Sequence, residues 1–190
     1  MHVGTDVARA AQIVRGGGLV AYPTETVYGI GALASDTAAI EKVFREKKRP
    51  EALPLSIAVA SLEMMRTVAF VEREDFVRRF LPGPVTVILR KRDVLPDALT
   101  GGSPFVGIRY PDHAMALDLI GRTGPITSTS ANLHGRPDPV TAEEVTVAVD
   151  YVLDGGRSRY AAPSTVVDLS AGRVVRKGVM YDEVHRYMQG

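Results

Sequence analysis

Two basic side chains in this sequence are spaced to bind one anion. Lys47 and Arg49 precede Pro50, and a proline disfavours the helical conformation for the residue before it. In an extended segment, residues i and i+2 project to the same side. Lys47 and Arg49 are therefore predicted to converge on one anion, with Lys48 facing away. The alternative is a solvated basic helix end that complements the helix dipole.

A polar run at residues 127–132 follows the apolar start of a predicted strand. Ser128, Ser130 and Asn132 fall on one face if the strand continues. They would place two hydroxyls and an amide at the carboxyl end of a strand, where open α/β sheets usually hold ligands. The alternative is a Ser/Thr-rich turn and helix cap.

Arg109 ends another predicted strand. Val106 and Ile108 share one face of this strand, and Arg109 lies on the other. The planar fork of an arginine at this position suits bidentate contact with a carboxylate or a phosphate. The alternative partner is the nearby acid Asp112.

Polar segments also follow or accompany other apolar runs, at 23–29 and 163–168, and Arg176 closes a late apolar run. Together, these features place hydroxyls and guanidiniums near several strand ends. That combination suits a site for a nucleotide plus a small acid.

Other site types are not supported by the spacing of residues. Gly29, Gly31 and Ala34 fit a dinucleotide fingerprint, but the pattern follows a polar loop, and Arg49 rather than an acid stands about 20 residues on. Small residues packing under a turn explain this pattern better. No P-loop motif occurs. The four histidines are scattered, so no metal site built by the protein is predicted. Ser130, His134 and Asp138 are not predicted to form a hydrolytic triad, because the sequence has no nucleophile elbow.

The elements that must position these residues alternate between strand and helix early in the chain, and strands cluster late. This order predicts an α/β fold with a twisted mixed sheet and flanking helices. Two helices are predicted to begin at Thr5 or Asp6 and at Ser35 or Asp36. Five further helices are predicted over 62–68, 72–81, 113–121, 141–149 and 181–188. The predicted strands cover 19–22, 55–59, 85–89, 106–109, 126–130, 151–153, 165–169 and 173–176.

Composition limits the classes of protein further. With 190 residues and no evident linker or repeat, the chain is predicted to form one domain over 1–190. Zero cysteines exclude disulfides, a thiol nucleophile and thiolate metal sites. A net charge of +1 argues against nucleic-acid binding by bulk charge alone. No secretion signal and no membrane-spanning run are evident, so we expect a cytoplasmic protein with no membrane partner.

In their order along the chain, these segments resemble the YrdC family, the threonylcarbamoyl-adenylate synthases. No single short motif carries the resemblance, which runs from Gly17 to about Gly178. The matching pieces are Tyr22–Gly29, Lys47–Pro50, Pro82–Thr86, Val106–Arg109, Ser128–Asn132 and Ser164–Asp168.

The resemblance implies a nucleotidyltransferase that joins L-threonine, bicarbonate and ATP into threonylcarbamoyl-AMP and releases pyrophosphate. It also implies Mg²⁺ bound with the ATP, and a twisted α/β sheet around a concave basic cavity. Other proteins would pass the threonylcarbamoyl group to tRNA, and double-stranded RNA or tRNA is a further implied partner.

The family's nucleotide contacts fall on five residues of this sequence. The resemblance implies that Lys47 and Arg49 hold the triphosphate and stabilise charge as pyrophosphate leaves, which makes them the implied catalytic pair. Ser130 and Asn132 would contact the nucleotide, and Arg176 would add a cation near the phosphates.

The implied threonine contacts are Arg109, which would clamp the carboxylate, and the hydroxyls of Thr26, Ser128 and Ser164. Two positions depart from the family pattern. Many members have a histidine where this chain has Ala58, and an asparagine where it has Leu53.

Two other functions remain alternatives at this point. One is an RNA-binding module that keeps the fold without catalysis. Near-neutral net charge and the presence of Arg109, a carboxylate-type contact, argue against it. The other is an acyl- or carbamoyl-transfer enzyme that uses the same fold on another substrate.

Overall fold

The computed structural model describes residues 2–190 and has the mixed α/β fold that the sequence predicts. Its strands are β1 (His2–Gly4), β2 (Val20–Tyr22), β3 (Gly29–Gly31), β4 (Ile57–Ala58), β5 (Val85–Arg90), β6 (Phe105–Arg109), β7 (Ile126–Thr127), β8 (Thr129–Ser130), β9 (Tyr151–Leu153), β10 (Thr165–Asp168) and β11 (Arg173–Arg176). Its α-helices are α1 (Val7–Arg15), α2 (Thr37–Lys47), α3 (Leu62–Val68), α4 (Glu74–Phe80), α5 (Asp97–Thr100), α6 (Ala114–Thr123) and α7 (Tyr181–Gln189).

The strands form two sheets rather than the one that the sequence predicts. One sheet has the order β1-β9-β2-β3-β8, and the other has the order β11-β10-β5-β6-β4-β7. Both are mixed: β2 runs parallel to β9 and antiparallel to β3, while β5 runs parallel to β10 and antiparallel to β6.

The split occurs at Ser128, inside the segment predicted as one strand over 126–130. Before it, β7 pairs with β4, and after it, β8 pairs with β3 of the other sheet. The Ser128 backbone N–H donates to the Ser56 carbonyl at 2.7 Å. The chain therefore passes from one sheet to the other at this residue.

Two aspartates begin the first two long helices, as the sequence predicts. The side chain of Asp6 accepts from the Arg9 backbone N–H, and the side chain of Asp36 accepts from that of Ala39. Each cap satisfies a backbone donor that has no partner within its helix. The buried face of α1, with Ala10, Ala11 and Val14, belongs to a hydrophobic cluster that also contains residues of α6.

The helix predicted over 141–149 is wrong. Only Ala142–Glu144 forms a short 3₁₀ turn, and Val145 is already extended. The Thr146 hydroxyl accepts from the Leu133 backbone N–H, and the Thr146 N–H donates to Ala131. These bonds tie the segment to the chain after β8 and replace helical hydrogen bonds.

Close packing accounts for the glycines that mimic a dinucleotide fingerprint. Gly29 and Gly31 lie in β3 and pack against the Tyr22 ring. A Cβ at Gly31 would lie 2.9 Å from Cδ1 of Ile126 and 3.3 Å from the Tyr22 ring. These residues therefore form a buried strand and not the phosphate-binding start of a helix.

Candidate active site

A cleft with about 810 Å³ of space, part of it open to solvent, is lined by residues of both sheets. The loop after β2, the last residue of β6 and the residue after β7 all contribute to its wall, so the carboxyl ends of three strands open on it. The segment after α2, the start of β10 and Arg176 of β11 also line it. This placement agrees with the site expected at strand ends.

The loop after β2 is fixed by the hydroxyl of Thr24. Thr24 Oγ1 donates to the Val27 carbonyl at 2.6 Å and accepts from the backbone N–H groups of Thr26 and Val27. The hydroxyls of Thr24 and Thr26 lie 2.9 Å apart, and both side chains line the cleft. The loop therefore presents Thr26 to the cleft from a hydrogen-bonded turn.

Lys47 does not share a cleft-facing side with Arg49, so the predicted geometry of this pair is wrong. Helix α2 continues through Lys47, and Lys48 then turns into the left-handed region at φ 50°. Lys47 is 2% exposed, and its Nζ donates to the backbone carbonyls of Ser130 and Asn132. Burial, followed by repulsion from Arg49, lowers the pKa of Lys47 to about 8.

Arg49 lines the cleft. Its guanidinium donates to the carbonyls of Leu53 at 3.3 Å and Pro54 at 3.1 Å, which orders the segment after α2. Burial lowers the pKa of Arg49. Within residues 2–190, no carboxylate forms a salt bridge with it, so its positive charge is uncompensated by the protein.

Ser128 and Ser130 line the cleft, but Asn132 does not, which corrects the prediction that all three share one face. Thr129, which the sequence analysis did not single out, lies in the lining with them. The buried Asn132 amide donates to the Arg136 carbonyl, and its Oδ1 lies 3.3 Å from Lys47 Nζ. Asn132 therefore holds the loop behind the cleft wall.

Arg109 lines the cleft as predicted, yet it pairs with Glu25 and not with the alternative partner Asp112. Its Nη2 donates to Glu25 Oε1 at 2.6 Å, and its Nη1 donates to the Gly83 carbonyl at 2.8 Å. Asp112 instead forms a salt bridge with Arg159. The guanidinium is thus engaged by protein groups on two sides.

Ser164 and Arg176 meet at the wall formed by β10 and β11. Arg176 Nη2 donates to the Ser164 carbonyl at 2.9 Å and lies 3.1 Å from its hydroxyl. The Ser164 hydroxyl also lies 2.7 Å from that of Thr86. Burial lowers the pKa of Arg176, and no carboxylate within the described residues forms a salt bridge with it.

Sequence reasoning also missed Glu25, Thr86 and Asp138 in this region. Thr86 and Asp138 line the cleft, and Glu25 lies behind it against Arg109. The matching pieces Tyr22–Gly29 and Pro82–Thr86 contain Glu25 and Thr86, but spacing alone does not reveal their partners. Asp138 had appeared only as a member of a rejected triad.

Ala58, which stands where many family members have a histidine, does not line the cleft. Ala58 belongs to β4 and packs in the hydrophobic cluster with Tyr22 and Ile126. Leu53 is part of the segment after α2, where its backbone carbonyl accepts from Arg49. The backbone contact at Leu53 does not depend on the side chain that replaces the family's asparagine.

Comparison with known proteins defines the family. The sequence model of a family covering Sua5, YciO and YrdC proteins, described as "Telomere recombination", matches residues 12–178. The chain belongs to this family.

Two individual relatives are both named threonylcarbamoyl-AMP synthase. The chain is 43% identical over 169 residues to threonylcarbamoyl-AMP synthase of Pyrococcus abyssi, covering 85% of this chain and 50% of the relative. It is 35% identical to the human threonylcarbamoyl-AMP synthase, covering 97% of this chain and 72% of the relative. The chain thus spans half the length of the Pyrococcus protein and most of the human one.

The fold matches a solved relative closely. The crystal structure of P. abyssi Sua5 complexed with L-threonine superimposes with a TM-score of 0.92 at 37% identity, covering all of this chain and 60% of that one. Within residues 2–190, helices fall short of the length and apolar character needed to cross a membrane.

Proposed function

We propose that this protein is an L-threonylcarbamoyladenylate synthase, an enzyme that converts L-threonine, bicarbonate and ATP to threonylcarbamoyl-AMP and pyrophosphate. The similarity of the whole chain to a Sua5 protein complexed with L-threonine is the observation that carries this proposal. The cleft of this chain gathers arginines and hydroxyls that suit these substrates. The names of the curated relatives support the same reaction.

The triphosphate lies, in this proposal, beside Arg49 and Arg176. Both guanidiniums line the cleft, and neither forms a salt bridge with a carboxylate among the described residues. Asp138 is the acidic residue in the described cleft lining. We therefore propose that this part of the cleft is basic. Fixed cations facing the phosphates would stabilise the charge that develops on pyrophosphate as it leaves.

Lys47 acts indirectly in this proposal. Its ammonium holds the carbonyls of Ser130 and Asn132 together and so fixes the polar loop that lines the cleft at Ser128 and Ser130. Of the predicted nucleotide contacts in this loop, Ser130 presents a cleft-lining hydroxyl, whereas Asn132 is a supporting amide.

L-threonine would lie against Thr26, Ser128, Ser164 and Arg109. The three hydroxyls line the cleft and can hydrogen-bond the amino acid's hydroxyl, amine and carboxylate. Arg109 contributes a guanidinium at the same wall. The two proposed subsites adjoin at Ser164, which contacts Arg176 directly.

The reaction then has two steps. The threonine amine attacks the carbon of bicarbonate, forming a C–N bond and releasing water, to give the N-carboxylate. An oxygen of this carboxylate attacks the α-phosphorus of ATP, and the bond from that phosphorus to the pyrophosphate oxygen breaks. Positioning and charge neutralisation supply the rate enhancement without a covalent protein nucleophile.

Mg²⁺ bound with the ATP is part of the proposal. Among the described residues, no group of three histidine, aspartate or glutamate side chains could hold a metal ion. Asp138 and the lining hydroxyls fit an ion whose ligands are mainly phosphate oxygens and water. When bound, the ion would neutralise phosphate charge.

Proteins that transfer the threonylcarbamoyl group to tRNA are the proposed downstream partners, and a cytoplasmic location goes with this role. The alternative of an RNA-binding module without catalysis is not favoured, because the curated relatives are named as synthases. A transfer reaction on another substrate has no specific observation in its favour.

Pyrophosphate release tests the proposal. Purified protein with ATP and Mg²⁺ should release pyrophosphate only when L-threonine and bicarbonate are both present. Omitting either should reduce release to the rate without protein. Equal release without threonine would contradict the proposed reaction.

A further inference from the structure

A buried ion pair stands in the cleft wall and is not explained by the proposed chemistry alone. Glu25 is 2% exposed and Arg109 is 4% exposed, and 2.6 Å separate Glu25 Oε1 from Arg109 Nη2. Among the salt bridges within residues 2–190, this is the one in which both side chains are almost fully buried.

The Arg109 guanidinium is held from several directions. Nη1 donates to the carbonyls of Gly83 at 2.8 Å and Val85 at 3.2 Å, and Nη2 lies 3.5 Å from Thr26 Oγ1. Because the guanidinium is planar and rigid, fixing both terminal nitrogens fixes the whole group. Glu25 is the partner among these that carries a charge.

Glu25 is equally constrained. Its backbone carbonyl accepts from Tyr160 N–H at 2.8 Å, and it stands between Thr24 and Thr26 in the rigid loop after β2. Its Oε2 is buried and has no hydrogen-bond donor within the described residues. Among the described residues, Arg109 is therefore the only hydrogen-bond donor to the Glu25 carboxylate.

Stability alone is a poor explanation for such a pair. Removing two charges from water costs about as much as their attraction returns, so buried ion pairs are weak evidence for stability. The charge pattern of the cleft suggests another role. Arg49 and Arg176 have no salt-bridge partner among the described residues, whereas Arg109 is paired with Glu25, so the three cleft-lining guanidiniums differ in the charge that they offer to a phosphate.

We propose that Glu25 is a positioning and specificity-determining residue of the amino-acid subsite. It holds Arg109 beside Thr26, and it cancels the charge of that guanidinium so that phosphate groups are not drawn to this wall. An amino acid has no net charge, so it can still hydrogen-bond to the fixed groups there. The inference rests on the proposed function.

The test is Glu25→Gln, which keeps the size of the side chain and removes its charge. L-threonine should bind about tenfold more weakly or worse, as for a misplaced charged hydrogen bond, while ATP affinity stays unchanged. Pyrophosphate should now compete with L-threonine, because Arg109 is left with an uncompensated charge. Calorimetric titrations of wild type and variant measure all three.

Glu183→Gln is the matched control, because it removes an exposed carboxylate paired with Arg79. It should leave both affinities and the pyrophosphate response unchanged. A folded Glu25→Gln variant that binds threonine like wild type, with no competition from pyrophosphate, would overturn the inference.

If Glu25→Gln does not fold, Glu25→Asp tests the positioning role of Glu25. This variant keeps the charge but shortens the side chain, so it should weaken threonine binding without admitting pyrophosphate. Wild-type threonine affinity in a folded Glu25→Asp variant would overturn the positioning role. Failure of the wild-type protein itself to bind L-threonine would instead overturn the proposed function on which this inference rests.

Discussion

Lys47 is a buried cation whose charge is stabilised by backbone carbonyls rather than by an acid. Folding lowers its pKa from 10.5 to about 8, chiefly through burial. Between these two pH values the unfolded chain therefore holds more protons than the folded one. Raising the pH through this window must increase the contribution of Lys47 to the free energy of unfolding.

The variant Lys47→Met isolates this effect. The free energy of unfolding of wild type minus that of the variant should rise between pH 8 and 10.5 and stay flat below pH 8. Urea titrations at several pH values measure it. A flat difference would show that Lys47 keeps its ordinary pKa, and a falling one would show that folding raises that pKa; either result contradicts the prediction.

Substitutions of Arg49 and Lys48 can be compared directly. The two residues are adjacent, and Arg49 lines the cleft while Lys48 does not. Arg49→Ala should reduce kcat/KM for ATP by roughly 10- to 150-fold, the loss expected for one charged hydrogen bond of about 1.5–3 kcal/mol. Lys48→Ala should leave it unchanged. Steady-state pyrophosphate release measures both, and equal losses would remove Arg49 from the phosphate site.

Seven of the nine residues predicted for the site line the cleft, but the predictions failed where a residue depends on distant contacts. Thr26, Ser128, Ser130 and Arg109 line the cleft as expected. Lys47 points inward because α2 extends to it and its Nζ donates hydrogen bonds to carbonyls that are distant in sequence. The partner of Arg109 is 84 positions away, so no local pattern could select Glu25 over Asp112.

At the scale of elements, the segment after β11 packs tightly against the start of β10. A Cβ added at Gly178 would overlap the backbone of Pro163 and Ser164. Ser164 lines the cleft and accepts from Arg176, so a shift here would reach the proposed phosphate wall.

Gly178→Ala should therefore destabilise the fold by about 1–3 kcal/mol and weaken ATP binding. Gly121→Ala is the control: it lies in α6 with nothing within 4 Å of the added Cβ. It should stabilise the protein by up to about 1 kcal/mol through helix propensity. Urea unfolding and ATP titration distinguish the two variants. Equal free energies of unfolding for both would show that the backbone at Pro163 can shift without destabilising the fold.

Helices with local signals were predictable, whereas the division into two sheets was not. The aspartate caps and apolar faces of α1 and α2 are local features. The break at Ser128 depends on the bond to Ser56, and the loss of helix over 141–149 depends on contacts with the chain after β8. Such tertiary contacts override local propensity.

For the whole molecule, the near-neutral net charge of +1 conceals an uneven local distribution. Among the guanidiniums that line the cleft, those of Arg49 and Arg176 have no salt-bridge partner within the described residues, whereas that of Arg109 is paired with Glu25. In the proposed function, this layout separates the phosphates of ATP from the amino acid while holding their reacting groups in one cavity. Both sheets contribute to that cavity, so the separation depends on their mutual arrangement.

In the proposed reaction, one cleft joins the carbon of bicarbonate, L-threonine and AMP. Mass spectrometry of the nucleotide product formed from isotope-labelled bicarbonate, L-threonine and ATP-Mg²⁺ tests this reaction. The expected product is threonylcarbamoyl-AMP carrying one labelled carbon, formed together with pyrophosphate and absent when threonine is omitted. Formation of AMP and pyrophosphate with no labelled threonylcarbamoyl-AMP would contradict it.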